Sequence, residues 1–221
     1  MTFDIITLFP EVIRPYLEGS IIGRAVKNKL ISVKVLNPRD FSTDKHRKAD
    51  GRAYGGGPGM VMRVEPLIKA FRSLKLKIKN SKLKILITAA GGKSFDDAKA
   101  LQLAKKYDHL VILCGHYEGI DARVPKILKD MGFSVEEVSI GPYVLTGGEL
   151  PALVMIDSVS RKLEGVLGKS ESLEENRLGV GVPAYTRPEV IKHGKKRYAV
   201  PKILLSGHHK NIEEWRKRHK S

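Results

Sequence analysis

The sequence has few of the residues that cross-link a chain or anchor it in a membrane. Its 221 residues include one cysteine, Cys114, which excludes an intrachain disulfide and any metal site built from several cysteines. No apolar run reaches the length of about 18 residues that marks a membrane-spanning helix. The opening residues MTFDIITLFP have a strand-like pattern and carry no basic segment typical of a signal peptide. We therefore expect a cytoplasmic protein that does not contact membranes.

Acidic residues are scarce relative to basic ones. The chain has 24 Asp and Glu against 40 Lys and Arg, a net charge of +16. A charge of this size indicates a polyanionic partner, most plainly nucleic acid. Residues 192–221 hold ten Lys and Arg against two Glu, and Tyr198 and Trp215 lie among them. Aromatic rings interleaved with cations favour a folded RNA-facing element over a bare charged tail.

Short apolar runs alternate with amphipathic helical patterns over most of the chain. The candidate strands are residues 3–8, 32–37, 85–88 and 110–113, and helical spacing follows at 64–74, 95–107 and 149–163. This order predicts an α/β protein with a mostly parallel sheet covered by helices. Ligands bind such sheets beyond the carboxyl ends of the strands. The loops at 88–93, 114–121 and 140–148 should therefore meet at one edge of the sheet.

The stretch SIGPYVLTGGELP, residues 139–151, is the most constrained of these loops. It contains three glycines and two prolines. Glycine lets main chain approach a ligand and proline fixes the backbone, so the stretch has the composition of a loop that holds one shape around a ligand. An ordinary strand-to-helix turn is the alternative, although such turns are usually only about 2–6 residues long.

Two other glycine-rich segments match known nucleotide-binding motifs only in part. Residues 54–60, YGGGPGM, match the spacing of a dinucleotide site, but no apolar strand precedes them and Pro58 lies inside. They suit either main chain that contacts RNA or a cofactor, or a flexible linker. Gly92-Lys93-Ser94 resembles the end of a phosphate-binding loop, but Ile87 stands where its first glycine is required.

Seven separated motifs stand along the chain. They are NPRDF at 37–41, DKH at 44–46, YGGGPGM at 54–60, CGHYEGID at 114–121, SIG followed by YVLTGGELP within 139–151, YTRPEV at 185–190 and LSGHH at 205–209. In this order they resemble the bacterial tRNA (guanine-37-N1)-methyltransferases, a family of the knotted SPOUT methyltransferases. The resemblance spans nearly the whole chain.

The resemblance implies a fold and an activity that periodicity cannot give. The implied fold has a deep trefoil knot in the sheet domain, whose loops hold S-adenosylmethionine, and a small basic, mainly helical C-terminal domain. The implied assembly is a homodimer with shared active sites, bound to the tRNA anticodon arm. The implied product is 1-methylguanosine beside the anticodon, which guards the reading frame. We expect residues 1–163 to form the catalytic domain, 164–185 the linker and 186–221 the tRNA-binding domain.

The family's functional residues can be carried over position by position. The implied contacts to S-adenosylmethionine are Thr88, Ala89, Gly91, Gly115, Tyr117, Glu118, Ile140, Gly141, Pro142, Tyr143, Val144, Leu145, Gly147 and Gly148. The implied tRNA contacts are Arg187, His208 and His209. Arg161 would face guanine O6, although its spacing from Asp157 alone is typical of a weak surface ion pair. The resemblance also implies Mg²⁺, for which the sequence offers no clear ligand cluster.

Methylation of guanine N1 requires removal of its proton, so the site needs a general base near N1 and a donor near O6. The target base must also leave its stack. The family's linker carries an Asp as the proposed base, and this chain has none at the matching place. Glu175, its neighbour Glu174, Glu118 or water are the candidates for that role.

Two further departures from the family bear on binding. Pro142 replaces a usual Asp, although its carbonyl remains for backbone contacts. The chain also ends earlier than is usual, which predicts fewer tRNA contacts or a trimmed C-terminal helix, offset by the clustered Lys and Arg. Two alternatives therefore stay open: a catalytically impaired RNA-binding relative, and a knotted methyltransferase acting on another RNA position.

Overall fold

The structure is a computed structural model that describes residues 1–76, 82–167 and 182–219. The chain divides into two compact units, residues 1–166 and 167–221. The sequence assigned a catalytic domain to residues 1–163, a linker to 164–185 and a tRNA-binding domain to 186–221. This assignment of roles stays a prediction. Among the described residues, no helix combines the length and apolar character needed to cross a membrane.

The first unit is built from seven strands, six α-helices and one 3-10 helix (Pro38–Phe41) in its described residues. The strands are β1 (Thr2–Ile6), β2 (Ser32–Leu36), β3 (Asp50–Arg52), β4 (Met60–Met62), β5 (Leu83–Ser94), β6 (His109–Leu113) and β7 (Val135–Ser139). The helices are α1 (Pro10–Glu18), α2 (Ser20–Lys27), α3 (Val64–Ser73), α4 (Asp97–Lys106), α5 (Arg123–Asp130) and α6 (Glu149–Ser160). The alternation expected from the apolar runs is therefore present.

Five of the strands form one parallel sheet in the order β2–β1–β6–β5–β7. Its register pairs Ile5 of β1 with Val35 of β2 and with Ile112 of β6. The predicted α/β class and mostly parallel sheet are confirmed. The trefoil knot stays a prediction.

Alternate residues of the strands feed two separate cores, one on each face of the sheet. Phe3, Ile5 and Ile112 belong to the core that includes residues of α1, α2, α4 and α6. Ile6 and Val111 belong to the core that includes residues of α3 and α5. Strands that are buried on both faces have continuous apolar sequences, and for this reason they could be predicted from the sequence.

Strand β5 extends further than the sequence predicted. Residues 88–93, expected as a loop, lie within β5, whose register against β7 shifts between Thr88 and Lys93. A β-carbon on Gly92 would overlap the main chain of Val138, so glycine permits this close pairing. The five lysines of residues 75–84 predict an exposed stretch. Lys84, at the start of β5, is instead buried, because Glu136 of β7 and the nearby Ser134 bind its amine.

The glycine-rich segment 54–60 joins two strands that the sequence did not reveal. β3 and β4 pair antiparallel on either side of it, so it is neither a linker nor part of a long polar loop. Gly55, Gly56 and Gly57 all have positive φ, a conformation that side chains disfavour. The tip of this hairpin therefore requires its glycines for its own backbone path.

The second unit contains a hairpin and two helices in its described residues. Strands β8 (Val190–His193) and β9 (Lys196–Ala199) pair antiparallel, and helices α7 (Lys202–Leu205) and α8 (His209–Arg218) follow. The resemblance implied a mainly helical domain, and the hairpin is an addition to that expectation. The ring of Trp215 stacks on His219 at 4.2 Å between centroids and meets Tyr185 edge-on at 6.3 Å.

Candidate active site

The carboxyl ends of β5, β6 and β7 open into a cavity of about 510 Å³. It is lined by residues 87–91, 115–120, 137–141 and 143–148 together with Ala122, Pro125 and Pro151. These segments come from the three loops predicted to converge, and this edge is where parallel sheets bind ligands. All the residues expected to contact S-adenosylmethionine line the cavity except Pro142, which lies in the exposed turn between lining residues.

The three segments are fastened to one another through Thr88, Gly115 and Gly148. The Gly115 amide donates to the Thr88 hydroxyl oxygen at 2.9 Å, and the Gly148 amide donates to the Gly115 carbonyl at 2.7 Å. A β-carbon on Gly148 would overlap the Thr88 hydroxyl. Glycine is thus required at 148 by neighbouring protein, whereas a β-carbon on Gly91 would meet nothing within 4 Å.

The loop after β7 is held in a tight turn by its own groups. The Ser139 hydroxyl donates to the Gly141 carbonyl at 2.9 Å, and the Tyr143 amide donates to the same carbonyl at 2.9 Å. The Tyr143 ring folds back over Gly141, where a β-carbon would overlap it. Val144 beyond the turn is 85% exposed. An apolar side chain left open beside a cavity is typical of a surface that a ligand or partner covers.

The charges that line the cavity have one sign. Glu118 and Glu137 are its only charged side chains among the described residues, and no Lys or Arg is among the described residues that line it. In a chain of net charge +16 this is a selective arrangement. Such a pocket favours a ligand that carries positive charge and disfavours one that carries phosphates.

Glu118 lies between this cavity and a second one of about 770 Å³. Its amide donates to the Met60 carbonyl at 3.0 Å, and a β-carbon on Gly59 would overlap its side chain. The β3–β4 hairpin thus fixes the Glu118 loop from the side opposite the sheet. The preceding Tyr117 has φ of 59°, a backbone conformation that is uncommon outside glycine and often marks functional sites.

The second cavity is lined by charged groups of both signs and by one aromatic ring, and its acids are Glu65, Glu118 and Asp121. Arg52, Arg63 and Arg123 lie around it, with Tyr54 at the hairpin tip. Tyr54 is 99% exposed. Arg123 is oriented by two bonds to Asp121, at 2.9 and 2.7 Å, which lower the pKa of that carboxyl. An open aromatic ring among oriented cations suits a nucleic acid.

Arg161 does not line the cavity of its own chain. It caps the C-terminal end of α6, whose N-terminal end touches the cavity. Twelve residues of rise separate the two ends, a distance of about 18 Å. Near it, the Tyr16 hydroxyl donates to Asp157 at 2.6 Å, and this bond, burial and the carboxylate charge raise the pKa of Tyr16 to about 12.

The remaining expected residues are Glu174, Glu175, Arg187, His208 and His209. Glu174 and Glu175 lie outside the described residues. Arg187, His208 and His209 are exposed in the second unit. Among the described residues, no group of three or more His, Cys, Asp or Glu could hold a metal ion.

Sequence reasoning missed three acid–base groups at the site. Glu137 of β7 lines the cavity, and His116 lines it beside Tyr117. Glu149 is only 5% exposed, and its Oε1 accepts a bond from the Thr7 hydroxyl at 2.6 Å. An acidic residue in the first turn of a helix is ordinarily exposed to solvent, where its charge interacts favourably with the helix dipole. Nothing in the sequence pattern therefore indicated that Glu149 is buried.

The cysteine beneath these loops is chemically shielded. Cys114 ends the apolar run of β6 and has no exposed surface. Burial, reinforced by the charge of Glu149, raises the pKa of its thiol well above the usual value. A protonated buried thiol is unreactive, so Cys114 is part of the core and not a nucleophile.

Comparison with known proteins gives one consistent family. The family described as tRNA (Guanine-1)-methyltransferase TrmD matches residues 1–221. A tRNA (guanine-N(1)-)-methyltransferase of Ruminiclostridium cellulolyticum is 47% identical over 219 residues, which are 98% of this chain and 89% of that protein. Proteins of the same name from Mycoplasma mycoides and Pasteurella multocida are 44% and 45% identical, over 98% and 99% of this chain and 85% and 86% of theirs. The chain belongs to the tRNA (guanine-1)-methyltransferase TrmD family.

Proposed function

We propose that this protein transfers a methyl group from S-adenosylmethionine to N1 of a guanine in tRNA. The observation that carries the proposal is the cavity at the sheet edge, whose charged side chains are carboxylates in a strongly basic member of this family. The guanine is that at position 37, beside the anticodon, where the methyl group protects the reading frame. The protein acts in the cytoplasm, where tRNA is used.

The cavity suits S-adenosylmethionine in size, wall and charge. Its volume of about 510 Å³ lies within the range of small-molecule sites, about 300–1,000 Å³. Val138, Ile140 and Leu145 offer apolar surface, and Glu118 and Glu137 offer negative charge. S-adenosylmethionine carries a sulfonium and an ammonium group, and a carboxylate near either is favourable. The bound donor would supply an activated methyl group on sulfur.

The chain must then prepare the guanine. As N1 bonds to the methyl group, the N1 proton must pass to a base, and negative charge that develops on O6 must be stabilised by a donor. Glu118 lies between the donor cavity and the second cavity, which fits a carboxylate that faces both reactants. Glu175 is the alternative base. The variants Glu118→Gln and Glu175→Gln identify the base. Loss of the general base should slow turnover far more than it weakens tRNA binding.

A homodimer accounts for the position of Arg161. Val12 and Tyr16 of α1 and Leu150 and Val154 of α6 are 45–56% exposed, and each pair is spaced four residues apart on its helix. These side chains form an apolar surface suited to a second copy of the chain. Across such an interface, the Arg161 guanidinium of one subunit would serve the guanine in the site of its partner.

The tRNA anticodon arm contacts two surfaces that present cationic side chains. One is the second cavity with Tyr54 and its three arginines. The other is the second unit, where Arg187, His208 and His209 are exposed. Phosphate contacts from these groups would supply most of the sequence-independent affinity. Mg²⁺ stays an expectation from the family, and the described residues contain no group of three or more His, Cys, Asp or Glu that could hold it.

The experiment is methylation of a tRNA transcript with isotopically labelled S-adenosylmethionine, followed by digestion and mass spectrometry. We expect label in 1-methylguanosine at position 37 and none in a matched transcript with adenine there. Label at another nucleotide would replace the proposed target. Tight binding of S-adenosylhomocysteine without any methylation would favour an impaired relative, and no binding of either ligand would overturn the donor site.

A further inference from the structure

His116 and Glu149 face each other beneath the donor cavity. The His116 Nδ1 atom is buried without a hydrogen-bond partner, and the nearest carboxylate oxygen, Glu149 Oε2, lies 3.7 Å away. The other oxygen of Glu149 accepts the Thr7 hydroxyl at 2.6 Å, and that hydroxyl accepts the Phe9 amide at 2.9 Å. The carboxylate is thus anchored through Thr7 to the main chain between β1 and α1 on one side and is open to His116 on the other.

The chemistry of the contact selects one form of the histidine. An ionised carboxylate only accepts hydrogen bonds. An Nδ1 atom without a proton would set two acceptors against each other. The proton therefore belongs on Nδ1, and a shift of less than about 1 Å would turn the 3.7 Å approach into a charge-assisted bond. A buried hydrogen-bond donor left without a partner costs free energy, and formation of this bond would remove that cost.

The pair links two loops with different tasks. His116 forms an isolated antiparallel bridge with Gly147, and a β-carbon on Gly147 would overlap both Glu149 and the imidazole ring. The ring packs against Phe9 at 4.7 Å and edge-on against Tyr117 at 4.6 Å. Tyr117, with its φ of 59°, directly precedes Glu118. Movement of His116 is therefore transmitted to the carboxylate that faces the guanine.

We propose that His116 and Glu149 are positioning residues that close onto each other when the donor binds, which sets the Glu118 loop in register with the donor loop. The inference rests on the proposed function of the cavity, because the donor is what fills the space between the loops. His116 contacts no reacting atom in this role. It acts through Glu118 and the main chain of residues 140–148.

The test compares two replacements of His116 by calorimetric titration with S-adenosylhomocysteine. His116→Asn keeps an N–H at the place of Nδ1, whereas His116→Leu keeps only bulk. We expect His116→Leu to weaken binding about tenfold or more, and His116→Asn to stay within about threefold of the parent protein. Glu149→Gln should weaken binding to a similar degree, and the double variant with His116→Leu should be no worse than either single change. Equal affinities for the Asn and Leu variants, or additive losses in the double variant, would overturn the pairing.

A measurement on the donor-free protein separates this inference from the proposed function. Nitrogen NMR of the imidazole rings, with His116 assigned from its absence in His116→Asn, reports which ring nitrogen carries the proton. We expect Nδ1 protonation in the parent protein and Nε2 protonation in Glu149→Gln, whose amide would donate toward Nδ1. An Nε2 proton in the parent protein refutes the pair, whether or not the protein binds the donor. Failure of the parent protein to bind S-adenosylhomocysteine, with the expected Nδ1 proton, refutes the donor-driven closure and the proposed donor site together.

Discussion

Gly148 lies against Thr88 with no room for a side chain between them. A β-carbon on Gly148 would overlap the Thr88 hydroxyl and approach Cys114 Cα and the Gly115 amide to 2.8 Å. The same amide bonds to that hydroxyl at 2.9 Å. The three loops around the donor cavity are therefore packed as one body, in which a single added methyl group has no place to go.

Replacing Gly148 with Ala should separate these loops. We expect a loss of stability of about 1–3 kcal/mol, since overpacking forces backbone shifts of that cost, and a weaker affinity for S-adenosylhomocysteine. Urea unfolding and calorimetry measure the two effects. Gly91→Ala is the matched control, because its added methyl group meets no atom within 4 Å and should leave stability nearly unchanged. Equal stability of the two variants would contradict the packing.

The buried thiol offers a test of the core beneath the site. Because Cys114 is fully buried and burial raises the pKa of its thiol, a thiol-specific reagent should not label the native protein at neutral pH. We expect full labelling in denaturant. At a denaturant concentration that unfolds only part of the protein, S-adenosylhomocysteine should slow the labelling, because it would stabilise the folded state. Rapid labelling of the native protein, with its circular dichroism unchanged, would show that β6 opens locally.

Glu136 should make stability depend on pH. Burial alone would raise the pKa of Glu136, but hydrogen bonds from Lys99 and Lys84 outweigh it and hold the pKa below the usual 4.5. The stabilisation is therefore present above pH 4.5 and is lost as the pH falls through the lowered value. Glu136→Gln leaves two largely buried amines without a counter-charge, which should cost about 3 kcal/mol at neutral pH.

Urea unfolding of the parent protein and of Glu136→Gln, at neutral pH and well below pH 4.5, measures that difference. The gap between the two proteins should narrow as the pH falls. Glu65→Gln is the control, since Glu65 pairs with Lys69 on an exposed helix face and such pairs stabilise little. A gap that stays constant with pH would mean that the carboxylate charge is not what the two amines require.

A shared active site should be visible by complementation. In a homodimer with Glu118 and Arg161 of each site on different subunits, mixing Glu118→Ala with Arg161→Ala subunits leaves one intact site in every mixed dimer. Random exchange then gives about one quarter of the parent activity from two inactive parents. Methyl transfer to tRNA after unfolding and joint refolding measures this. Refolding each variant alone is the control, and no recovery would place both residues in the same subunit's site or in none.

Tyr54 should affect tRNA but not the methyl donor. The ring is 99% exposed beside Arg52, Arg63 and Arg123, and stacking of a base on an aromatic ring contributes about 1–3 kcal/mol. We expect Tyr54→Ala to weaken tRNA binding about tenfold and to leave S-adenosylhomocysteine affinity unchanged. Tyr54→Phe keeps the ring and should bind tRNA as the parent does. A weakened donor affinity in Tyr54→Ala would mean that the hairpin acts on the donor cavity instead.

Much of the sheet was predictable because its strands are buried on both faces. Runs such as the one ending at Leu113 are continuous and apolar, and the loops after them carry the glycines that gather at one edge. The burial of Lys84 was not predictable, because it depends on Glu136, a residue more than fifty positions away that approaches only in the folded sheet. The same holds for Glu149, whose partner Thr7 lies 142 positions away.

The residues of the site divide in the same way. Positions on the loops that line the cavity, such as Gly115 and Tyr143, could be predicted from the motifs together with the sheet topology. Arg161 could not be placed from the sequence, because its distance from the cavity depends on the length of α6 in the folded protein, and the role proposed for it depends on a second subunit that is itself a proposal. A glycine in these loops did not by itself indicate a ligand contact. A β-carbon on Gly91 would meet no protein atom within 4 Å, whereas one on Gly148 would overlap Thr88.

The sole thiol and the sole indole of this chain are in different units. Cys114 lies in the core of residues 1–166, and Trp215 lies in residues 167–221, stacked on His219. Tryptophan fluorescence therefore reports on the C-terminal unit, and reaction of the thiol with an added reagent reports on the N-terminal one. An experimenter can follow the melting of each half separately without substituting any residue.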